Sequence, residues 1–434
     1  MSVLRPDFPD HSSPFSREQE RQRKEAAILS AAARRFDAEG VHATRLEDIA
    51  ADLGLTKTGI SYYFASKEDL AGEVYRASAR ALAEAVEIAR TADGAAAQLR
   101  RLFEVFADHM RAVSEGRRHN LAAINDLDAL GDELHASIAA ELSRCVSDVN
   151  GMIARWARES GAPLGRPEPA TFLVFELLEW MGSWPRRKRD WNIDTAADTL
   201  LEILAGGLKA GGDWEPAALQ PGTPDVGVPQ VFDREARNRM KREAFLKAGT
   251  RFFNKKGFGG VALSEVAASL GVTRGAFYYH IPDKEQLLEQ CLERSFTTVE
   301  QALDRAEGGG RSGLGVIEHA IRDLIYQQAS GVTPLLRPSL AAALPEARQR
   351  RHAARLRNIA RRFGDAFEHA VEAGEARPVD IQAAERILTH AVFLNGGYTI
   401  AAANSFTDWR ISEDPLTATI DYVYILMRGL GAGQ

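Results

Sequence analysis

RQRKEAAILSAAARRFDAEGVHATRLEDIAADLGLTKTGISYYFASKEDL, beginning at Arg21, returns 217 residues later as NRMKREAFLKAGTRFFNKKGFGGVALSEVAASLGVTRGAFYYHIPDKEQL, beginning at Asn238. The copies align without a gap: Phe36 falls on Phe253, Gly40 on Gly257, Ala50 on Ala267, Gly54 on Gly271, Thr56 on Thr273, Tyr62 on Tyr279 and Lys67 on Lys284. A register held that long marks an internal duplication. Each copy offers a helix, a tight Leu-Gly-Leu or Leu-Gly-Val turn and a short basic-aromatic helix, which reads as two helix-turn-helix DNA readers on one polypeptide.

In the first copy Ile28, Ala32, Phe36, Leu46, Ile49, Leu53, Leu55, Ile60 and Phe64 are spaced so that three short helices can share a core. Gly54 occupies the turn, where positive φ or little bulk is needed. Thr44 and Glu47 spell a T-x-x-E capping box, and Thr56 and Thr273 stand as N-caps after the turn. The second copy has Val261 in place of Thr44, so Ser264 becomes its candidate cap.

Outward on the third helix remain Thr56, Lys57, Thr58, Gly59, Ser61, Tyr62 and Tyr63, and in the second copy Thr273, Arg274, Gly275, Ala276, Tyr278, Tyr279 and His280. Lys or Arg near a helix N-terminus can donate to guanine O6 and N7, and the helix dipole favours a neighbouring phosphate. Thr and Tyr hydroxyls can hold phosphate oxygens and set the register without reading sequence. Residues 17–67 carry nine Lys or Arg against eight Asp or Glu, whereas residues 234–284 carry eleven against four. The second reader, with Lys255 and Lys256, should therefore dominate the salt dependence of DNA binding.

The 434 residues exceed one ordinary core, and 45% of them are apolar. Ala-, Leu- and Arg-rich helical patterns with few alternating β-branched stretches indicate an all-α fold of two consecutive lobes. A formal charge of −6 argues against indiscriminate polyanion coating while leaving room for local basic footprints. Boundaries are expected as a flexible arm over 1–20, readers over 21–67 and 234–284, helical ligand and dimerisation domains over 68–210 and 285–434, and a Pro/Gly-rich linker over 211–233. Helices are predicted near 68–90, 95–114, 118–128, 132–160, 167–184 and 194–210, then near 284–306, 313–330, 335–343, 346–374, 379–403 and 416–430. ILAGGL at 203–208 echoes ILMRGL at 425–430, extending the duplication to the lobe ends. Two cysteines, Cys145 and Cys291, offer no disulfide or metal spacing. No signal peptide or run of 18 apolar residues is present, so a cytoplasmic, reduced setting with no membrane partner is expected.

Both copies resemble the TetR family of bacterial one-component regulators, through LGLTKTGISYYFASKEDL and LGVTRGAFYYHIPDKEQL. The resemblance is specific over the reader; beyond it only the helical layout is similar. It implies DNA contacts from Thr44, Thr56, Lys57, Thr58, Ser61, Tyr62, Tyr63 and Lys67, and from Thr273, Arg274, Gly275, Tyr278, Tyr279, His280 and Lys284. Ser61, Tyr63 and Ile281 depart from the residues common in that family.

The fusion itself departs further, because ordinary members resemble one lobe and pair as symmetric dimers. Two unlike readers predict an intramolecular pseudo-dimer, joined through the last two helices of each lobe, on an asymmetric double-stranded operator. Two chains pairing to present four readers is the competing arrangement. The resemblance also implies a small-molecule effector that selects one conformation, acting on a repressor. Candidate pocket residues are Phe103, Phe106, Met110, Phe172, Phe175 and Trp180 in the first lobe and Tyr326, Phe363, Phe367, Phe393 and Tyr398 in the second, each also readable as plain core. Arg348, Arg350, Arg351, Arg355, Arg357, Arg361 and Arg362 form either a solvated face or a seat for an acidic effector such as an acyl-CoA. No catalytic constellation, metal spacing or cofactor fingerprint stands out. The rival from another class is a ligand- or protein-binding module in which one reader no longer binds DNA.

Overall fold

The computed structural model describes residues 14–183 apart from 123, 125, 126, 163 and 165, together with 193–211, 214–215, 234–393 and 414–431. Among these residues the regular structure is helical, with one isolated antiparallel bridge between Lys209 and Ala376. The first half runs α1 (Pro14–Glu39), α2 (Leu46–Asp52), α3 (Lys57–Ser61), α4 (Lys67–Arg90), α5 (Ala95–Ser114), α6 (Asp132–Ser160), α7 (Glu168–Ser183) and α8 (Ile193–Gly206). The second repeats it as α9 (Arg234–Lys256), α10 (Leu263–Ser269), α11 (Arg274–Tyr278), α12 (Lys284–Gly308), α13 (Gly313–Ala329), α14 (Glu346–Glu372), α15 (Ile381–Val392) and α16 (Pro415–Arg428).

Three expectations need correction. The N-terminal arm is helical from Pro14, because Arg21 pairs with Glu18 and Lys24 with Glu20 at helical spacing. The helix expected over 118–128 reduces to a 3-10 turn at Leu127–Ala129, and that over 335–343 to one at Pro338–Ala343. The cause is the same in both lobes: backbone N–H groups that a helix would use donate to side chains instead. Asn120 N–H donates to Ser30 Oγ (2.9 Å), Ala122 N–H to Ser78 Oγ (3.0 Å) and Leu336 N–H to Ser295 Oγ (2.8 Å).

The capping box is also absent. Thr44 is 1% exposed and its hydroxyl donates to Gly40 O (2.8 Å), so α2 starts at Arg45 without a side-chain cap. Val261, its counterpart, is equally buried, and α10 starts at Ala262 without help from Ser264. The position is a core site, where Thr packs its methyl and returns its hydroxyl to the preceding turn. Thr56 and Thr273 do cap α3 and α11, accepting from Gly59 N (3.2 Å) and Ala276 N (3.3 Å).

The lobes join through a layer in which α7 and α8 pack against α15 and α16. Where the ends of α8 and α16 cross, backbone bonds are reciprocal: Leu208 N–H donates to Leu426 O (2.8 Å) and Leu430 N–H to Leu204 O (2.6 Å). Arg377 adds bonds to the carbonyls of Glu202 and Gly207, both 3.0 Å, and Trp156 Nε1 donates to Gly431 O (3.0 Å). No helix among the described residues is long and apolar enough to cross a membrane.

Candidate DNA-reading surface

In the first reader Ile28, Ala32, Phe36, Ile49, Ile60 and Phe64 are buried, with Leu46, Leu53 and Leu55 packed at the edge. Gly54 and Gly271 take φ near +65°, as the turn demands, and open space around each shows that backbone conformation sets the requirement. That core holds α3 so that Thr56, Lys57, Thr58, Ser61 and Tyr62 are exposed, and α11 so that Thr273, Arg274, Gly275, Tyr278 and Tyr279 are exposed. Tyr62 and Tyr279 stand 78% and 80% exposed, so neither recognition helix is buried against its own lobe. Each is braced edge-on by a half-buried neighbour: Tyr63 lies 5.2 Å from Tyr62 and His280 5.1 Å from Tyr279, centroid to centroid.

Other expected contacts are placed differently. Thr44 is buried and has no side-chain surface to offer a phosphate. Lys67 donates to the carbonyls of His42 (3.0 Å) and Thr44 (3.2 Å), and Lys284 donates to that of Gly259 (3.3 Å) while lying over the Phe258 ring. These two lysines tie the first turn of α4 and of α12 to the loop before α2 and α10. Burial lowers the Lys284 pKa, as expected for an ammonium partly withdrawn from water. The caps of α4 and α12, Ser66 accepting from Asp69 N and Asp283 from Gln286 N, were not singled out in the sequence, although S-x-x-D and D-x-x-Q spell them.

Those tied loops also touch each other. A Cβ built on Gly259 would come 2.6 Å from Ala43 N, and one on Gly260 3.2 Å from His42 Cδ2. His42 and Gly259 are equivalent positions in the duplication, so the two readers meet through matched surfaces.

Electrostatically the readers are unequal beyond their net charge. Lys57 Nζ lies 2.9 Å from Glu47, whose carboxyl is held below its ordinary pKa by that contact. In the second reader Ser264 replaces Glu47, and among the described residues Arg274 makes no ion pair. A phosphate approaching Lys57 must compete with a carboxylate; one approaching Arg274 need not.

Away from the readers most aromatic candidates are core. Phe103, Phe172, Phe363 and Phe367 are fully buried, Phe175 and Phe393 nearly so, and Met110 and Tyr326 half-buried. Trp180's side chain, Tyr398 and the PRRKR run at 185–189 lie outside the described residues. Phe106 lines a cavity of about 190 Å³ between α4 and α5.

The arginine run of α14 clamps the carboxylates of α12. Arg355 bonds Glu300 (2.6 Å) and Glu293, Arg362 holds Asp304 and Glu307 (both 2.8 Å), and Arg348 and Arg351 hold Glu289. Four of the seven arginines of the run are thus engaged by carboxylates of α12, while Arg350 and Arg361 pair with Glu346 and Asp365 on α14 itself. Cys145 and Cys291 are buried thiols, pushed up to about 12 by desolvation.

A family model described as bacterial regulatory proteins, tetR family, matches residues 28–74 and again 245–291. The HTH-type transcriptional regulator RutR of Escherichia coli (strain K12) is 55% identical over 47 residues, which are 11% of this chain and 22% of that protein. The HTH-type transcriptional repressor BepR of Brucella suis biovar 1 (strain 1330) is 35% identical over 81 residues, 18% of this chain and 39% of the relative. The chain therefore spans less than two fifths of the length of either curated relative. The TetR family transcriptional regulator PfmR from Thermus thermophilus aligns over 41% of this chain and 95% of its own, at 24% identity and a TM-score of 0.33. Residues 28–74 and 245–291 are thus two helix-turn-helix modules of the TetR family type, carried in tandem by one chain whose described residues are helical.

Proposed function

We propose that the chain is a sequence-specific DNA-binding regulator whose two unlike readers act as an intramolecular pseudo-dimer on an asymmetric operator, repressing until a small molecule releases it. The observation that carries this reading is that α3 and α11 both present exposed residues at equivalent positions, Tyr62 with Tyr279 and Lys57 with Arg274. The packing of α7 and α8 against α15 and α16 supports the pairing of lobes, since that layer leaves each chain with two readers in fixed relation. The contact of His42 and Ala43 with Gly259 and Gly260 supports it too. The exposed sets differ at most positions, so the two half-sites should differ in sequence.

Charge reversal separates the halves of this proposal. Lys57→Glu and Arg274→Glu, measured one at a time on selected operator fragments, should each weaken binding, with footprint loss confined to one half-site. A perfect inverted repeat, bound equally by both readers, contradicts the asymmetric operator. Sedimentation of the free and DNA-bound protein tests whether one chain or two occupies the site.

A second reading has two observations in its favour: the Lys57–Glu47 pair and the near-neutral first reader suit a lobe that serves as a partner surface with little DNA affinity. Under it Lys57→Glu leaves operator affinity unchanged.

A further inference from the structure

Helices α5 and α13 align from their N-caps, Gly94 and Ser312, and the buried pairs Leu99 with Ile317, Leu102 with Ala320 and Phe103 with Ile321 hold that register. His109 then corresponds to Gln327 and Val105 to Asp323; on the preceding helices Ile88 corresponds to Arg305. In the second lobe these residues satisfy one another: Gln327 Nε2 donates to Asp323 Oδ1 (2.9 Å), and Arg305 holds the same carboxylate (2.6 Å). In the first lobe both partners have become hydrocarbon.

His109 is consequently left half-satisfied. Its Nδ1 faces an Arg118 guanidinium N–H at 2.8 Å, which fixes the neutral ring with its proton on Nε2. Nε2 is buried without a partner among the described residues, in a residue 9% exposed. Burial and the neighbouring Arg118 and His119 push the ring's pKa down to about 4, in keeping with a neutral donor. The ring lines the cavity of about 190 Å³, whose apolar walls include Ile88, Val105, Phe106 and Leu121. A buried N–H beside a void and apolar walls is the arrangement of a small-ligand site, where few polar groups fix orientation.

We infer that this cavity binds a small monocarboxylic acid with an apolar body. Its carboxylate accepts from His109 Nε2–H, and Arg118, held on the Nδ1 side of the same ring, attracts its charge without touching it, while its body lies against Val105, Phe106 and Leu121. The charge of Arg118 is only weakly offset, because its carboxylate partner, Glu84, lies 3.8 Å away and both side chains are about half exposed. Asp108, also at the cavity, is paired with Arg111, and with Glu84 it disfavours a second negative charge on the ligand. Among the described residues of the second lobe the Arg305–Asp323 pair occupies the corresponding place, so the expected ratio is one ligand per chain.

The site is wired to one reader. Arg117, Arg118 and Leu121 belong to the segment anchored through Asn120 to Ser30 on α1 and through Ala122 to Ser78 on α4. A ligand that shifts this segment shifts the first helix of the first reader, which gives the effector of the proposed regulator a chemical class.

Full-length protein titrated by calorimetry with benzoate, phenylacetate and 4-methylpentanoate, and with their amides, tests the assignment, with the His109 ring ¹⁵N shift as local readout. The expected result is one acid per chain, a shift at Nε2, and at least tenfold weaker binding of the matching amide. Val105→Asp, which supplies His109 with the second lobe's partner, should abolish binding. Arg118→Gln, at an exposed site that tolerates the change, should erase the preference for acid over amide. No shift with any of the three acids, water alone at Nε2, or undiminished binding by both variants overturns it. Binding to DNA is measured separately without ligand: DNA binding with no acid binding removes this site and spares the regulator, and the converse removes the regulator and spares the site.

Discussion

Gly207 and Gly429 occupy each other's space: a Cβ on Gly207 would fall 2.3 Å from Met427 O, and one on Gly429 2.5 Å from Ala205 O. Both take positive φ, +65° and +68°. Each ends the last described helix of its lobe, and the pairs 205 with 427, 207 with 429 and 208 with 430 follow one offset, so the crossing has approximate two-fold symmetry written in a single chain. Gly207→Val and Gly429→Val should each destabilise the protein by about 2–5 kcal/mol, from a strained backbone and a collision with main chain that cannot yield. Denaturant unfolding checks the size, and nearly equal losses at the two sites check the symmetry.

Freeing Lys57 should strengthen the first reader. Glu47→Ser, which copies the second reader's Ser264, removes the carboxylate 2.9 Å from the ammonium. Operator affinity is expected to rise by about two- to fivefold at low salt, the scale of an exposed ion pair, and the gain should vanish at high salt. Unchanged binding at every salt concentration places Lys57 away from DNA.

Of the two adjacent lysines at the end of α9, Lys256 is engaged with Glu265 at 2.9 Å and with the Phe252 ring, whereas Lys255 is exposed. Lys255→Ala should reduce the slope of log affinity against log salt by about one, and Lys256→Ala by less. Equal slopes for both variants and the parent protein remove this end of α9 from the phosphate contacts.

Lys67 and Lys284 are positioning residues for the readers. Lys67→Met and Lys284→Met should loosen the loops around His42 and Gly259 and weaken DNA binding through misplaced recognition helices. The salt slope should stay nearly constant, which distinguishes positioning from a phosphate contact. Faster hydrogen exchange in those loops is the direct readout.

His109 should make the protein acid-sensitive. Its folded pKa, about 4, lies below the ordinary 6.5, so the unfolded chain binds the proton first as pH falls. Stability from this group is therefore intact above pH 6.5 and is lost progressively down to about pH 4. His109→Gln should flatten the decline in melting temperature between pH 7.5 and 4.5, and an unaltered decline excludes His109 as its source.

The reader was legible because its signals are local. Ile28, Phe36, Ile49 and Ile60 mark core faces by spacing, Gly54 marks the turn by its permitted φ, and Thr56 and Thr273 mark helix starts by caps three residues long. The capping box failed because T-x-x-E does not reveal that position 44 faces inward, a fact Val261 at the equivalent place hinted at. The segments at 118–128 and 335–343 failed because their amides are claimed by Ser78 and Ser295, far away in sequence.

By itself the sequence determined that two copies of one helical module exist and that their exposed residues and charge differ, since these depend on interactions within a few turns of helix. Only the tertiary structure decided what each long side chain touches. It gave the arginines of α14 to the glutamates of α12, tied Lys67 and Lys284 to loop carbonyls, and left His109 facing a cavity because Val105 and Ile88 cannot offer what Asp323 and Arg305 provide. Partnerships of that kind form across helices distant in the chain, and their energies depend on burial and direction, neither of which a residue's identity carries.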